Sequence, residues 1–303
     1  MRLQAANLLL LFTVIFTHAQ DTFYAPEEKE YYFDIQTISD STGIPDIYKV
    51  YVKTPICEDA NCYVVEINFY YDLIGRYLAF DTIEGKGLTK LDHIPFSKGD
   101  YQKLDRLLKD PNSPIGTYQM EELVKDTRLS EIDGFTGATI EEVQEIVISG
   151  GVYSCYTLWH IAQGALKDSV QQKTISLLNT SMVKKLADAH DIDINYFLIS
   201  SFTEEQFFEY LPCVLNTFQQ ANGYYLKHVI EKMPKNVVND SLVQSYFAPE
   251  FQRLNYFVQV ALVKKLDRCT LNAQMRGALY RALENRNSLK NELIWKLLNG
   301  KDQ

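Results

Sequence analysis

The sequence predicts an α+β N-terminal domain with a β-meander, followed by an all-α, helical-repeat-like (HEAT-like) C-terminal domain. Two observations carry this. Ile47–Lys53, Tyr63–Tyr70 and Arg76–Thr82 are rich in β-branched and aromatic residues and separated by short polar breaks, as in strands joined in sequence. From about Asp168 the strand signal fades and short amphipathic helices recur.

The length of 303 residues allows one large or two ordinary domains, and 46% hydrophobic residues supply a core. The N-terminus reads as a secretory signal. Arg2 precedes an apolar run from Leu8 to Phe16, and Thr17-His18-Ala19 forms the small-residue exit. The expected division is therefore a signal peptide over 1–19, an α+β domain over 20–166 and a helical repeat or bundle over 167–303. Cleavage after Ala19 leaves 29 cations against 39 anions, a net charge of −10. Such an acidic chain is a poor partner for nucleic acid or anionic lipid. No later run is long and apolar enough for a transmembrane segment in the mature chain. An exported, periplasmic or extracellular location follows as the expectation.

Residues 20–33, rich in Tyr, Glu and Phe, read as an extended arm, and Asp34–Asp46 as a polar turn region with Gly43 and Pro45. Cys57 and Cys62 frame a short loop between the first two strands of the meander. In an exported chain they read as a disulfide; a metal pair lacks a second pair at suitable spacing. Cys155, Cys213 and Cys269 sit in helix-like apolar patterns and read as core.

Ser97 can cap a helix over Lys98–Lys109, with Asp100 favourable in its first turn and Asp110-Pro111-Asn112-Ser113-Pro114 as its stop. Thr117 is positioned to cap a short helix to Val124. Leu129–Ile132 has the pattern of a short strand. A further helix is expected from Val152 to Gly164.

In the second half the pattern gives helices at Val170–Leu178, Ser181–His190, Asn195–Ser200, Glu204–Tyr210, Cys213–Gln220, Tyr224–Met233, Asp240–Phe247, Glu250–Leu266, Asn272–Asn285 and Leu289–Leu298. Ser201 with Glu204 fits a capping box, and Pro249 suits a first helical turn. Lys184-Lys185 and Lys264-Lys265 read as solvated faces. A compact bundle is the alternative to a repeat array, since no clean period stands out.

Chemistry concentrates at Asp133-Gly134-Phe135-Thr136-Gly137-Ala138-Thr139. This stretch resembles the flavinylation motif of the FMN-binding domain family, Asp-x-x-(Ser/Thr)-Gly-Ala-(Ser/Thr). That family includes covalently flavinylated subunits of sodium-pumping NADH:quinone reductase and Rnf-type redox complexes. The resemblance covers this segment only. It implies FMN joined through a phosphoester to Thr139, with Asp133, Thr136, Gly137 and Ala138 forming the arm recognised by an extracytoplasmic flavin transferase. A Thr hydroxyl is a poor nucleophile unless activated, so the transferase must supply the chemistry. The same residues also read as a capping box, Thr139-Ile140-Glu141-Glu142, with Val143, Ile146 and Val147 following at helical spacing.

On the helix after the motif, Tyr156, Trp159 and His160 fall on one face at i, i+3 and i+4. They suit stacking on an isoalloxazine ring, although an aromatic cluster on a helix is more often core packing. His160 lacks a clear metal partner, and Cys155 lies on a different face of the helix, too far round for a thiol–imidazole pair. In Leu91-Asp92-His93, adjacent residues rarely face one another, and loop packing is the simpler reading. No nucleophile elbow, His-Glu-x-x-His helix or Cys-x-x-Cys-His site occurs.

The functional expectation is an exported flavoprotein that passes electrons to and from an unidentified redox protein. The alternative is a non-catalytic secreted helical-repeat binding or scaffold protein.

Overall fold

The computed structural model describes residues 22–24, 30–56, 64–90, 93–123, 141–218, 223–283 and 288–300. The expected signal peptide, the Cys57–Cys62 loop, the Leu129–Ile132 strand and the motif Asp133–Thr139 lie outside the described residues. Two compact units are present: Met1–Ile38 with Ile47–Ser169, and Ser39–Asp46 with Val170–Gln303. The expected boundary at 166/167 falls inside helix α5 (Ala165–Leu177). Among the described residues no helix is long and apolar enough to cross a membrane.

The N-terminal half contains an antiparallel sheet and is followed by a mainly helical region, so α+β precedes all-α. Strands β1 (Thr22–Tyr24), β2 (Glu30–Ser39), β3 (Pro45–Pro55), β4 (Val64–Asp72) and β5 (Tyr77–Thr82) lie side by side in sequence order. Val50 pairs with Phe69 and Val52 with Ile67 across β3 and β4, and Phe69 pairs with Phe80 across β4 and β5. Tyr48, Val50, Val52 and Thr54 are buried at alternate positions of β3, the two-residue period of a strand with one face in the core.

Strand β2 corrects the sequence expectation, because Asp34–Ser39 is strand and only Asp40–Ile44 is turn. The solvated side chains from Asp34 onward hid the strand; pairing with its neighbours in the sheet fixes it. The turn itself follows its residues. The Asp40 carboxylate accepts from the Thr42 and Ile44 amides at 2.9 and 3.2 Å, and Gly43 takes a φ of +81°.

Helix α1 (Lys98–Lys109) has the expected bounds. Ser97 Oγ accepts from the Asp100 amide at 3.2 Å while the Asp100 carboxylate accepts the Ser97 amide at 2.8 Å. This is a complete capping box, more than the helix-dipole role read from the sequence. Leu104, Leu107 and Leu108 are buried. Tyr77 on β5 donates to Asp105 at 3.0 Å, and the Tyr101 hydroxyl accepts the Leu88 amide at 2.9 Å.

Beyond α1 the chain makes a 3-10 turn at Pro114–Thr117, then α2 (Met120–Leu123), α3 (Glu141–Gln144) and α4 (Val152–Gln163). Thr117 does not cap α2. Pro114 opens the 3-10 turn, Thr117 donates to the Pro114 carbonyl at 2.8 Å, and the Glu122 carboxylate takes the Gln119 amide at 2.7 Å. The described part of α3 is one turn. The Ile146 and Val147 amides both close on the Val143 carbonyl, so the helical spacing of these residues ends in a tight turn.

The second unit continues through α6 (Thr180–Ala187), α7 (Ile192–Ser201), α8 (Glu204–Glu209), α9 (Leu211–Phe218), α10 (Gly223–Lys232), α11 (Lys235–Asn239), α12 (Ser241–Glu250), α13 (Tyr256–Lys265), α14 (Ala273–Arg281) and α15 (Ser288–Asn299). Its core runs from Ile199 and Phe207 through Tyr225, Phe247 and Leu262 to Ile294. Asn179, Asp191, Asp240, Asn255 and Asn272 each cap the helix that follows. Two buried glutamines bind neighbouring backbone. Gln244 donates to the Val238 and Thr270 carbonyls at 3.2 and 3.0 Å, and Gln259 to the Phe251 and Leu254 carbonyls, both at 2.9 Å.

Three local readings are corrected here. The capping box of α8 is Thr203 with Gln206, because Ser201 still belongs to α7 and donates to the Phe197 carbonyl. Pro249 lies in the last turn of α12, not a first turn; it removes one backbone donor, and the chain tightens into a 3-10 turn at Phe251–Arg253. The expected helix over Glu250–Leu266 is thereby divided, with α13 starting afresh behind Asn255.

Replacing Ser97 by Ala should cost about 1 kcal/mol by loss of the cap, whereas Asp at this position should retain most of it. Urea denaturation of the three proteins measures this, and equal midpoints would remove the box from the account of α1.

Candidate functional site

Helix α4 carries the part of the expected site that is described. Its first residue follows Gly151, and the Cys155 amide bonds the Gly151 carbonyl at 3.0 Å. Tyr156, Trp159 and His160 are brought together as their spacing requires. The Tyr156 and His160 rings lie 4.0 Å apart between centroids, and those of Trp159 and His160 5.0 Å apart. Tyr156 and Trp159 are buried, with 5% and 9% exposure, and His160 is half-buried. His160 Nδ1 lies 3.0 Å from the Tyr156 carbonyl, which it meets as a donor when that nitrogen carries the proton.

Trp159 is tied to the segment behind α1. Its indole N–H donates to the Asp110 carbonyl at 2.9 Å, and its ring lies against Gly116 so closely that a Cβ there would overlap it. The indole therefore packs as a wedge, and the accessible ring of the trio is that of His160. Helix α2 packs on α4, α4 packs on the Pro114–Thr117 turn, and so does α3. Leu123 and Glu141 are the described residues on either side of the motif-bearing stretch; the first belongs to α2, which packs on α4, and the second to α3, which packs on the Pro114–Thr117 turn. Asp133, Thr136, Gly137, Ala138 and Thr139 themselves lie outside the described residues.

Cys155 is fully buried, and the Ile148 amide points at its sulfur from 3.4 Å. Burial pushes the thiol up to about 12, which keeps it protonated and unreactive at neutral pH. Cys269 is also buried, whereas Cys213 is only half-buried, so the expectation of core holds fully for two of the three. Cys57 and Cys62 lie outside the described residues. His93 has a φ of +58°, a left-handed loop position, while its neighbours Leu91 and Asp92 lie outside the described residues.

In the second unit two lysines correct the reading of solvated faces. Lys185 donates to the Asp40 and Asp46 carboxylates, both at 2.8 Å, and to the Pro45 carbonyl at 2.9 Å. Lys265 donates to the Glu231 carbonyl at 2.8 Å. Their neighbours Lys184 and Lys264 are exposed as expected. A sequence reading cannot pair Lys185 with Asp40, because the partners are 145 residues apart.

One further pair escaped the sequence reading. Ser200 Oγ lies 3.0 Å from His228 Nε2, with the Tyr196 ring 4.9 Å from the imidazole. Burial, with Lys232 nearby, pushes His228 below its ordinary value, so the ring is neutral at pH 7. Ser200 sits in the last turn of α7, the electron-rich end of a helix. Negative charge developing there is disfavoured, so the pair ties α7 to α10 and does not form a nucleophile site. Among the described residues no group of His, Cys, Asp or Glu could hold a metal ion.

Two outcomes are expected. Alkylation of the native protein at pH 8 should spare Cys155 and Cys269 and modify Cys213 first; peptide mass analysis reads this, and prompt labelling of Cys155 would contradict its burial. The second concerns pH. The Lys185 ammonium, with Thr42, holds the Asp40 carboxyl well below the usual carboxylate range. Its contribution is complete above the unfolded value near 4 and is lost as pH falls through the folded one. Burial alone would lower Lys185, but the Asp40 and Asp46 carboxylates outweigh it and raise it, so its contribution is lost only as pH rises through that raised value. The stability gap between wild type and Lys185→Met should therefore be widest from about pH 5 to 9 and close towards pH 2. Urea titrations across that range measure it.

No protein-family model, no curated protein and no solved structure matches this chain.

Proposed function

We propose that this chain is an exported flavoprotein that carries FMN on Thr139 through a phosphoester and transfers electrons outside the cytoplasm, in the periplasm or beyond. The reading rests on the motif Asp133-Gly134-Phe135-Thr136-Gly137-Ala138-Thr139 and on the N-terminal export signal. One feature of the fold supports it. Helix α2, which ends at Leu123 before the motif-bearing stretch, packs on α4, which carries Tyr156, Trp159 and His160. A flavin on Thr139 would have His160 as the more accessible ring partner, with Trp159 fixing the helix behind it. The cofactor supplies the electron chemistry; the protein's part is to present Thr139 to a flavin transferase and to exclude water from one face of the ring.

The test is a denaturing gel. Produced in a host with an extracytoplasmic flavin transferase, the wild type should keep flavin fluorescence on the band and Thr139→Ala should lose it entirely. A colourless wild type made with the transferase present would overturn the reading.

The second reading concerns the helical unit, which we take as a repeat array that holds a protein partner. Buried residues recur along helices α7, α10, α13 and α15, as Ile194, Tyr225, Val258 and Lys290, at intervals of 31, 33 and 32. Helices α6, α9, α12 and α14 begin at 180, 211, 241 and 273, intervals of 31, 30 and 32. Contacts run α7 to α10, α10 to α13 and α13 to α15, with α6 to α9 and α12 to α14 beside them. Each pair burying its apolar face on the next is the organisation of a helical stack.

A further inference from the structure

The export reading ends the leader at Ala19, so the mature chain begins at Gln20. That places one particular side chain beside a free α-amine. In an N-terminal glutamine the amine nitrogen can reach its own Cδ and close a five-membered ring. Nucleophile and electrophile then belong to one residue, the arrangement that gives intramolecular reactions their high effective molarity. An α-amine has a pKa near 8, so about a tenth of it is the nucleophilic free base at pH 7.

The sheet begins just beyond this residue. Strand β1 (Thr22–Tyr24) is three residues long and forms one edge of the sheet, with only β2 beside it. It pairs from Thr22, opposite Tyr32, to Tyr24, opposite Glu30. Gln20 precedes the first paired residue by two positions, so ring closure consumes no amide of that pairing. The same spacing leaves little chain to lose. An exopeptidase that removes Gln20 and Asp21 arrives at Thr22, and each further step takes a residue from β1. The first residues of a domain are where proteolysis concentrates.

We propose that Gln20 is a modification site, at which the mature chain closes to an N-terminal pyroglutamate, and that this ring shields β1 from aminopeptidases. The proposal rests on the export reading, through cleavage after Ala19, and not on the flavin. In the step the α-nitrogen bonds to Cδ, the Cδ–Nε2 bond breaks, and Nε2 leaves as ammonia with one proton from the α-amine. No atom is oxidised or reduced, and no co-reactant is consumed. The product is a lactam N–H, which is not basic and offers no ammonium to an enzyme that recognises a free chain start.

The experiment is mass spectrometry of the N-terminal peptide. The full chain is produced in a host that exports it and is held at pH 8 beside a synthetic linear peptide of residues 20–29. The wild type should begin at residue 20, become lighter than the linear sequence by one ammonia, and close within twofold of the rate of the synthetic peptide. Gln20→Asn has a side chain one methylene shorter and could close only a strained four-membered ring. It should begin at residue 20 with a free amine, and leucine aminopeptidase should shorten it while leaving the closed wild type intact. A Gln20 that stays linear, closure much slower than in the peptide, or a chain start at another residue would overturn the proposal and leave export standing. A Q20N chain that resists the aminopeptidase would overturn the shielding role. An uncut chain that keeps Met1 rejects the export reading and this proposal with it. Flavin on the denatured band of the same sample reads the cofactor separately.

Discussion

Helices of five to thirteen residues make up the second unit, and helices this short are marginal in water by themselves. The dominant constraint is therefore that each must bury one face on a neighbour, and many also hand their first backbone amides to a capping side chain. Asn179, Asp191, Thr203, Asp240, Asn255 and Asn272 take the amide ends, and Gln244 and Gln259 take carbonyls from inside the core. A core such as that around Tyr225, Val229 and Leu262 stabilises these helices by about 1.5–3 kcal/mol per large side chain buried. Caps add about 1 kcal/mol each. Neither contribution would suffice without the other.

The first unit obeys the same constraint with a sheet in place of a stack. One face of β3 is buried at alternate positions, and tyrosines carry polar ends into the packed interior. Tyr71 is fully buried yet donates to the Ala162 carbonyl at 2.8 Å, so its hydroxyl is satisfied across the sheet–helix contact. Burial pushes this phenol well above its ordinary value, which keeps it a donor at any physiological pH. Helix α4 is thus fixed from two sides, by Tyr71 at its C-terminal end and by the Trp159 indole against Gly116 and Asp110.

Much of the local architecture was legible because it depends on neighbours in sequence. Ser97 with Asp100, the β3–β5 alternation and the limits of α4 at Gly151 and Gly164 are all set within a few residues. The errors share a different origin. Asp34–Ser39 is strand because its neighbours in the sheet supply hydrogen-bond partners, not because its side chains demand it. Thr117 and Ser201 fit capping patterns but were displaced by better local solutions, a Pro-initiated 3-10 turn in one case and the adjacent Thr203 in the other. Of the expected site, only the aromatic trio on α4 could be compared with its spacing; i, i+3 and i+4 bring three rings together on any helix.

The sequence by itself determined the two fold classes and the positions of most helices and strands, since both depend on short-range pattern and residue chemistry. Tertiary structure alone decided that Lys185 is an anchor for Asp40 and Asp46, that Ser200 meets His228, and that Trp159 is a wedge and not an open platform. These are relations between residues about thirty or more positions apart, and no local pattern encodes which distant side chains will share a space once the chain has buried its apolar surface.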